Sequence, residues 1–481
     1  MGKLAITTSG KPRKPVAVDT TPGTSTMHKA PQLESMTSAI RWLMDRVDVE
    51  RMNPTRVDAD TLKLDRMHKL AELLDSPQKA VRMVHVAGTK GKGSTCEMTA
   101  ACLEACGYAV GIYTSPHLMD IRERIRINRK IMATSDFVRI AQRVADKVSD
   151  LPEALGVPTF FELITAMGFL HFAEEAVDVA VIEVGLGGRL DSTNIITPEV
   201  TGISSISLDH MQILGSTVEA IAAEKAGIFK AGVPAVSAMQ PESVLEVLRK
   251  SAEAVGAPFQ VVGRDIDFSS RFEAQSNLGP HHRVSLSSPR NDFDHLQVPL
   301  KGEHQTLNCG LALAMLDKLC ERGFKTPAAK VTKGLSTVQL PGRMELAWPK
   351  PRIVLDGAHN AESIKCLMKA ISSHMSYDTL VVVFGCAADK DIDGMLHEIS
   401  LAADKVIFTR VHGNARAADP AELQRRLSET GKMSQVADDV ASALHLAAKA
   451  VPREDLICVT GSLHLVGEAK KLLTSMSVKK T

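Results

Sequence analysis

The stretch from Met83 to Thr95 limits the fold more than any other part of the chain. Met83 to Ala87 is a short, valine-rich run that reads as a buried strand, and Cys96 to Cys106 reads as a helix, with Met98, Cys102 and Leu103 at helical spacing. Between them lies a Gly-rich turn. Glycines let successive backbone N–H groups face one anion, and the helix N-terminus adds partial positive charge. Gly88, Thr89, Lys90, Gly91, Lys92, Gly93, Ser94 and Thr95 are therefore a candidate phosphate loop. Lys92 can reach the β- and γ-phosphates of a nucleotide, and Ser94 or Thr95 can ligate Mg²⁺. The spacing departs from G-x-x-x-x-G-K-[ST], because Gly93 separates the lysine from the hydroxyl residue. A plain Gly-rich turn is the competing reading.

The next apolar runs repeat the pattern. Strands are expected at residues 109–113, 178–184 and 200–205, and helices at 38–47, 63–74, 135–149, 158–176 and 216–229. Strands alternating with helices give an α/β fold with a mostly parallel sheet covered on both faces. Ligands of such sheets bind beyond the carboxyl ends of the strands. The Gly-rich loop, Ser115, Glu183 and His210 all fall at such ends. Residues 256–300 look β-like and loop-rich, and a helix follows over 303–322 carrying His304 and Asn308. Pro341-Gly342-Arg343 and the Pro349–Pro351 segment punctuate the chain. A second strand–helix series then starts, with strands at 352–356, 379–384, 405–408 and 455–460. The expected division is a tail over 1–32, a large domain over 33–343 and a smaller α/β domain over 344–481.

Composition removes several function classes. A net charge of +1 supplies no basic field for nucleic acid or an anionic membrane, and 4% aromatics make a poor stacking platform. No apolar run is long enough for a membrane span. The tail lacks the apolar core of a secretory signal, and Ile6 breaks the myristoylation pattern, although the first acidic residue, Asp19, comes late enough to leave an organelle-targeting reading open. The eight cysteines form no C-x-x-C pair, which fits a reduced, cytoplasmic chain.

Taken singly, the polar candidates stay ambiguous. Glu183 ends an apolar strand, where a carboxylate is costly unless paired or metal-bound. His210 is a ligand or an ordinary surface histidine. Glu224-Lys225 would be a solvated helix face. Arg343 is a phosphate clamp or a surface charge, and Asp356, beside His359, could simply cap a helix. Asp389 and Asp391 are a metal pair or exposed loop charges.

Together the stretches carry a resemblance. Gly88–Ser94, Thr114–Leu118, Glu183–Asn194, Ser207–His210, Glu224–Ile228, Pro341–Arg343, Asp356–Asn360 and Thr460–Leu463 occur in that order. This closely resembles the bacterial folylpolyglutamate synthase/dihydrofolate synthase family, a branch of the Mur ligase superfamily, over about residues 35–475. The resemblance implies a Mur-ligase-like P-loop ATPase domain followed by a smaller Rossmann-like domain. It implies ATP-dependent addition of L-glutamate to dihydropteroate or a reduced folate through an acyl phosphate, by a monomeric cytoplasmic enzyme with no nucleic-acid or membrane partner. It assigns ATP to residues 88–95 with Asn308, Arg343 and Asp356, and two Mg²⁺ sites to Ser94, Ser115, Glu183, His210 and a carbamylated Lys225. It places the pterin side at Thr159, Phe160, Phe161 and Glu162 with Leu190, Asp191 and Ser192. Thr61 to Lys63 would add a further wall, although Lys63 stands where the family often has glycine. His359 and Ser462 would receive the incoming glutamate, and Lys92, Lys225, His210 and His359 would act in catalysis. Another Mur-type amino-acid ligase and a P-loop binding protein without ligase activity are the alternatives.

Overall fold

The computed structural model describes residues 31–48, 63–275, 279–411 and 416–478. Most of the expected tail, the polar loop around Asn53-Pro54, and Thr61 lie outside the described residues.

The large sheet contains β1 (Arg82–Ala87), β2 (Val110–Tyr113), β3 (Ile125–Ile127), β4 (Lys130–Ile131), β5 (Val179–Glu183), β6 (Val200–Ile203), β7 (Ala235–Ser237) and β8 (Phe259–Val261). Its order is β4-β3-β2-β5-β1-β6-β7-β8. The run from β2 to β8 is parallel, while β3 and β4 add antiparallel edge strands. This hairpin was not legible in the sequence. Its turn is Asn128-Arg129, both at positive φ (48° and 58°). The usual turn signal is Asn-Gly, and arginine in the second position hides it.

Parallel strands buried on both faces need continuous apolar runs, and β1 supplies one in which Met83, Val84, Val86 and Ala87 are all buried. The exception is His85, also fully buried, whose Nε2 lies 2.8 Å from Thr193 Oγ1. Burial, helped by Lys230, pushes its imidazole down to about 3, so the sheet interior holds a neutral ring. The helices Lys92–Cys106 and His304–Glu321 cover one face of the sheet, and Phe160–Glu174 covers the other.

A three-stranded antiparallel sheet follows, formed by β9 (Asp267–Gln275), β10 (Gly279–Ser287) and β11 (Asp292–Gln297). The third sheet contains β12 (Glu345–Pro349), β13 (Arg352–Leu355), β14 (Leu380–Phe384), β15 (Lys405–Phe408), β16 (Met433–Val436) and β17 (Leu456–Thr460). Its order is β12-β13-β17-β14-β15-β16, parallel except for β12. The edge strands β12 and β16 were missed. Each is half-exposed and lacks the apolar run that marks the central strands.

Two helix starts bear on function. The helix expected from Cys96 begins at Lys92, because Gly91 (φ +87°) turns the chain and serves as its N-cap. Lys92, Gly93 and Ser94 thus occupy the first turn, where backbone N–H groups have no intrahelical acceptor, and the first intrahelical bond runs from Thr95 N to Gly91 O at 2.9 Å. The helix Phe160–Glu174 is capped by Thr159, whose side chain accepts from Glu162 N while the Glu162 carboxylate accepts from Thr159 N at 2.7 Å.

Candidate active site

The carboxyl ends of the strands of the large sheet face those of the third sheet across a cleft of about 1170 Å³. Thr89 to Ser94 line it, together with Ser115, Glu183, His210 and Asn308, and from the far side Arg343, Asp356, His359 and Ser462. Gly88, Thr95, Phe160 and Lys225 do not contribute to the lining.

The loop is shaped by close approaches. A Cβ on Gly88 would lie 1.9 Å from Ser204 Oγ, and one on Gly91 would lie 2.0 Å from Asn308 Oδ1. Thr89 N donates to Ser205 O at 2.8 Å, tying the loop to the end of β6. Gly91→Ala combines that clash with a left-handed φ. It should abolish nucleotide binding, measured by ADP titration, while the chain still folds around the untouched core.

Two ammonium groups converge on one carbonyl. Lys92 Nζ donates to Gly88 O at 3.1 Å and to Thr89 O at 3.4 Å, while Lys225 Nζ donates to Gly88 O at 2.8 Å. Glu224 behaves as a solvated helix residue paired with Arg189, but Lys225, its neighbour, is buried beneath the loop. Burial first, then the Lys92 charge, pushes the Lys225 amine down to about 7.

Beside the loop, the buried Glu183 accepts from Ser115 N at 3.2 Å, and the carboxylate reaches the first turn of the helix, where a Cβ on Gly93 would sit 3.5 Å from it. His210 is left-handed (φ 49°) and half-open to the cleft, 3.9 Å from Asp209. Burial, with Lys390, Lys92 and Lys225, lowers its imidazole and favours the neutral form. Among the described residues there is no cluster of three or more His, Cys, Asp or Glu side chains that could hold a metal. Mg²⁺ does not require one, since it takes one or two carboxylates, keeps waters and uses substrate phosphates. The hard oxygens of Ser94, Ser115 and Glu183 fit that demand. Asp389 and Asp391 do not form a metal pair: Asp389 binds Arg416 at 2.7 Å, and Asp391 caps the helix Ile392–Ala402.

On the far side, Asp356 accepts from Met344 N and Ala358 N, both at 2.9 Å, which fixes the turn carrying Arg343 and His359. Burial raises its carboxyl despite Arg343. His359 Nδ1 lies 2.8 Å from Gly357 O, so Nδ1 carries the proton and Nε2 is left as an acceptor. Burial holds this ring down to about 4, and it is neutral at physiological pH. Ion pairs bridge the cleft: Lys90 reaches Glu362 at 2.5 Å and Asn360 Oδ1 at 3.1 Å, and Lys390 lies 3.7 Å from Asp209. Nothing in the sequence pairs these residues, because they lie far apart in the chain.

The expected pterin-side residues separate into two kinds. Thr159, Phe161, Leu190 and Ser192 line the cleft. Phe160 does not: it is fully buried, with the Arg124 guanidinium 5.2 Å above its ring, because the first turn of its helix points it into the core. Glu162 and Asp191 reach the cleft wall, but their oxygens are engaged within the protein. Glu162 forms a bidentate pair with Arg66 (2.8–3.0 Å), and Asp191 accepts from Leu186 N at 2.8 Å and Thr193 N at 3.0 Å. Both hold the wall in shape. Arg66 was invisible in the sequence, where it looks like one more polar residue on an amphipathic helix.

Residues 86–316 match the Mur ligase middle domain, and residues 342–463 match the Mur ligase glutamate ligase domain. Fold, phosphate loop and cleft thus define an ATP-dependent ligase of the Mur type. The dihydrofolate synthase/folylpolyglutamate synthase of Bacillus subtilis is 33% identical over 415 residues, spanning 85% of this chain and 94% of that protein. The enzyme of the same description from Mycobacterium tuberculosis is 34% identical over 455 residues, spanning 88% and 92%. Among solved structures, Escherichia coli FolC in complex with DHPP and ADP superposes with a TM-score of 0.79 at 28% identity, covering 94% of this chain and all of that one. Mycobacterium tuberculosis folylpolyglutamate synthase complexed with ADP and AMPPCP gives 0.81 at 30% identity, covering 92% and 99%. The chain belongs to the folylpolyglutamate synthase/dihydrofolate synthase family. Among the described residues, no helix is long and apolar enough to cross a membrane.

Proposed function

We propose that this chain uses ATP to join L-glutamate to a carboxylate of dihydropteroate, of a reduced folate, or of both. The observation that carries the reading is the facing of two half-sites across one cleft. The phosphate loop with Glu183 and Ser115 lies on one side, and the neutral His359 with Ser462 lies on the other. An acceptor carboxylate oxygen attacks the γ-phosphorus, ADP leaves and an acyl phosphate forms. The glutamate amine then attacks the acyl carbon, and phosphate departs with the oxygen that came from the carboxylate. Such transfers depend on positioning and on stabilising charge. Gly88 to Thr95 would cradle the phosphates, with Lys92 supplying positive charge from the loop side and Arg343 from the far side. Asn308 and Asp356 would complete the nucleotide site. His359 Nε2 is an acceptor that would hold an N–H of the incoming amine and orient it toward the acyl carbon.

Ser115, Glu183 and His210 would hold Mg²⁺, with Ser94 serving the first of two sites and a carbamylated Lys225 acting as a further ligand or as an organiser of metal-bound water, to neutralise charge on the phosphates. Carbamylation needs a neutral amine, which the depressed Lys225 supplies. In the same reading the phosphate-loop domain runs to residue 343, the Pro341–Pro351 segment is the hinge, and the enzyme is a cytoplasmic monomer. The test is incorporation of labelled glutamate by the purified protein with MgATP and either dihydropteroate or a reduced folate. Glutamate-dependent product with at least one acceptor is expected. ATP consumption that is indifferent to glutamate, or product only with a UDP-linked peptide, would overturn the reading.

A further inference from the structure

We propose that Arg126 binds a substrate carboxylate, either of the incoming amino acid or of the acceptor. The inference rests on the ligase reading above. Arg126 lies on β3, opposite Ile112 of β2, and its side chain forms part of the cleft wall together with Ser115 and Leu118. Its Nη2 is held by Glu97 Oε2 at 2.8 Å, from a carboxylate that is 1% exposed on the phosphate-loop helix. That anchor fixes the guanidinium and uses one of its five N–H donors. Nε is buried without any acceptor, and the side chain is 15% exposed.

Nearby arginines are occupied. Arg66 spends three hydrogen bonds on Glu162 and one on Leu155 O, Arg122 is bidentate to Asp120, and Arg124 is buried against His117. An anchored guanidinium with donors to spare, in the wall of a cleft whose substrates are carboxylates, matches the planar fork that reads a carboxylate. No local pattern marks it, since Arg126 sits in a short run of alternating arginines, each equally plausible as a surface charge.

The variants are Arg126→Gln and Arg126→Lys, the second keeping the charge beside Glu97 but losing the fork. KM for glutamate and KM for the folate acceptor are measured separately, with kcat and Tm. The expected result, in both variants, is a rise of about ten- to a hundredfold in one KM. kcat and Tm should stay close to those of the parent protein, as for an interaction shared by ground and transition states. A rise in KM for glutamate assigns the carboxylate to the amino acid, and a rise in KM for the folate assigns it to the acceptor. If Arg126→Gln does not fold, Arg126→Lys alone is decisive. Unchanged KM values, or losses confined to kcat and Tm, would make Arg126 a structural partner of Glu97 and overturn the proposal. A parent protein that releases no ADP in response to glutamate would instead overturn the ligase reading, and this inference with it.

Discussion

Lys92→Ala should lower glutamate-dependent ADP release by at least about a thousandfold, the scale expected when one charge-stabilising group is removed from a phosphoryl-transfer site. The ammonium of Lys92 rests on the Gly88 and Thr89 carbonyls, at 3.1 and 3.4 Å, on the loop that would hold the nucleotide. Those carbonyls are weak partners for a full charge, so the group is free to move onto phosphate oxygens when they arrive. Lys92 is only partly buried, and the variant should therefore melt near the parent temperature. Its defect should appear in kcat and in ADP affinity alike. Steady-state ADP release, paired with a melting curve, checks this; near-normal turnover would remove Lys92 from the assigned role.

Lys225→Ala should cut turnover by about a hundredfold or more, the loss typical when a group supporting transition-state charge is deleted. It should do so without abolishing ADP binding, because Lys225 lies beneath the loop and off the cleft wall. The parent enzyme should also show a pH dependence that the variant lacks. Burial and Lys92 bring the Lys225 amine to about 7. Below that pH it is protonated and cannot take up carbon dioxide, so activity should fall as pH drops through about 7 and be restored above it. Depleting dissolved carbon dioxide should lower parent activity in the same direction. A pH profile shared by parent and variant would contradict a carbamylated lysine.

What could be read from the sequence follows from how local each signal is. The phosphate loop, the parallel strands and the ends carrying Ser115, Glu183 and His210 were legible because each depends on a run of neighbouring residues. The same holds for the strand-to-helix turn at Asp356 to His359. Lys225 was misleading by itself: Glu-Lys on a helix looks solvated, and only the packing of that helix under Gly88 buries the amine. Phe160 and Phe161 are adjacent and chemically identical, yet only the second lines the cleft, a distinction set by helix phase. The Arg66–Glu162 pair and the Lys90–Glu362 bridge join residues 96 and 272 positions apart, and no local pattern links them. The β3–β4 hairpin was hidden by an arginine in a turn position that glycine usually fills.

The central claim is that the acceptor carboxylate is activated by phosphoryl transfer inside this cleft and then captured by glutamate. The most direct test uses an acceptor whose reacting carboxylate carries oxygen-18, incubated with MgATP, glutamate and the purified protein. The expected result is one labelled oxygen in each phosphate released, with the amide retaining the other. Unlabelled phosphate alongside normal amide formation would mean that no acyl phosphate forms, and would contradict the assignment of the loop, Lys92 and the facing His359 to successive halves of one reaction.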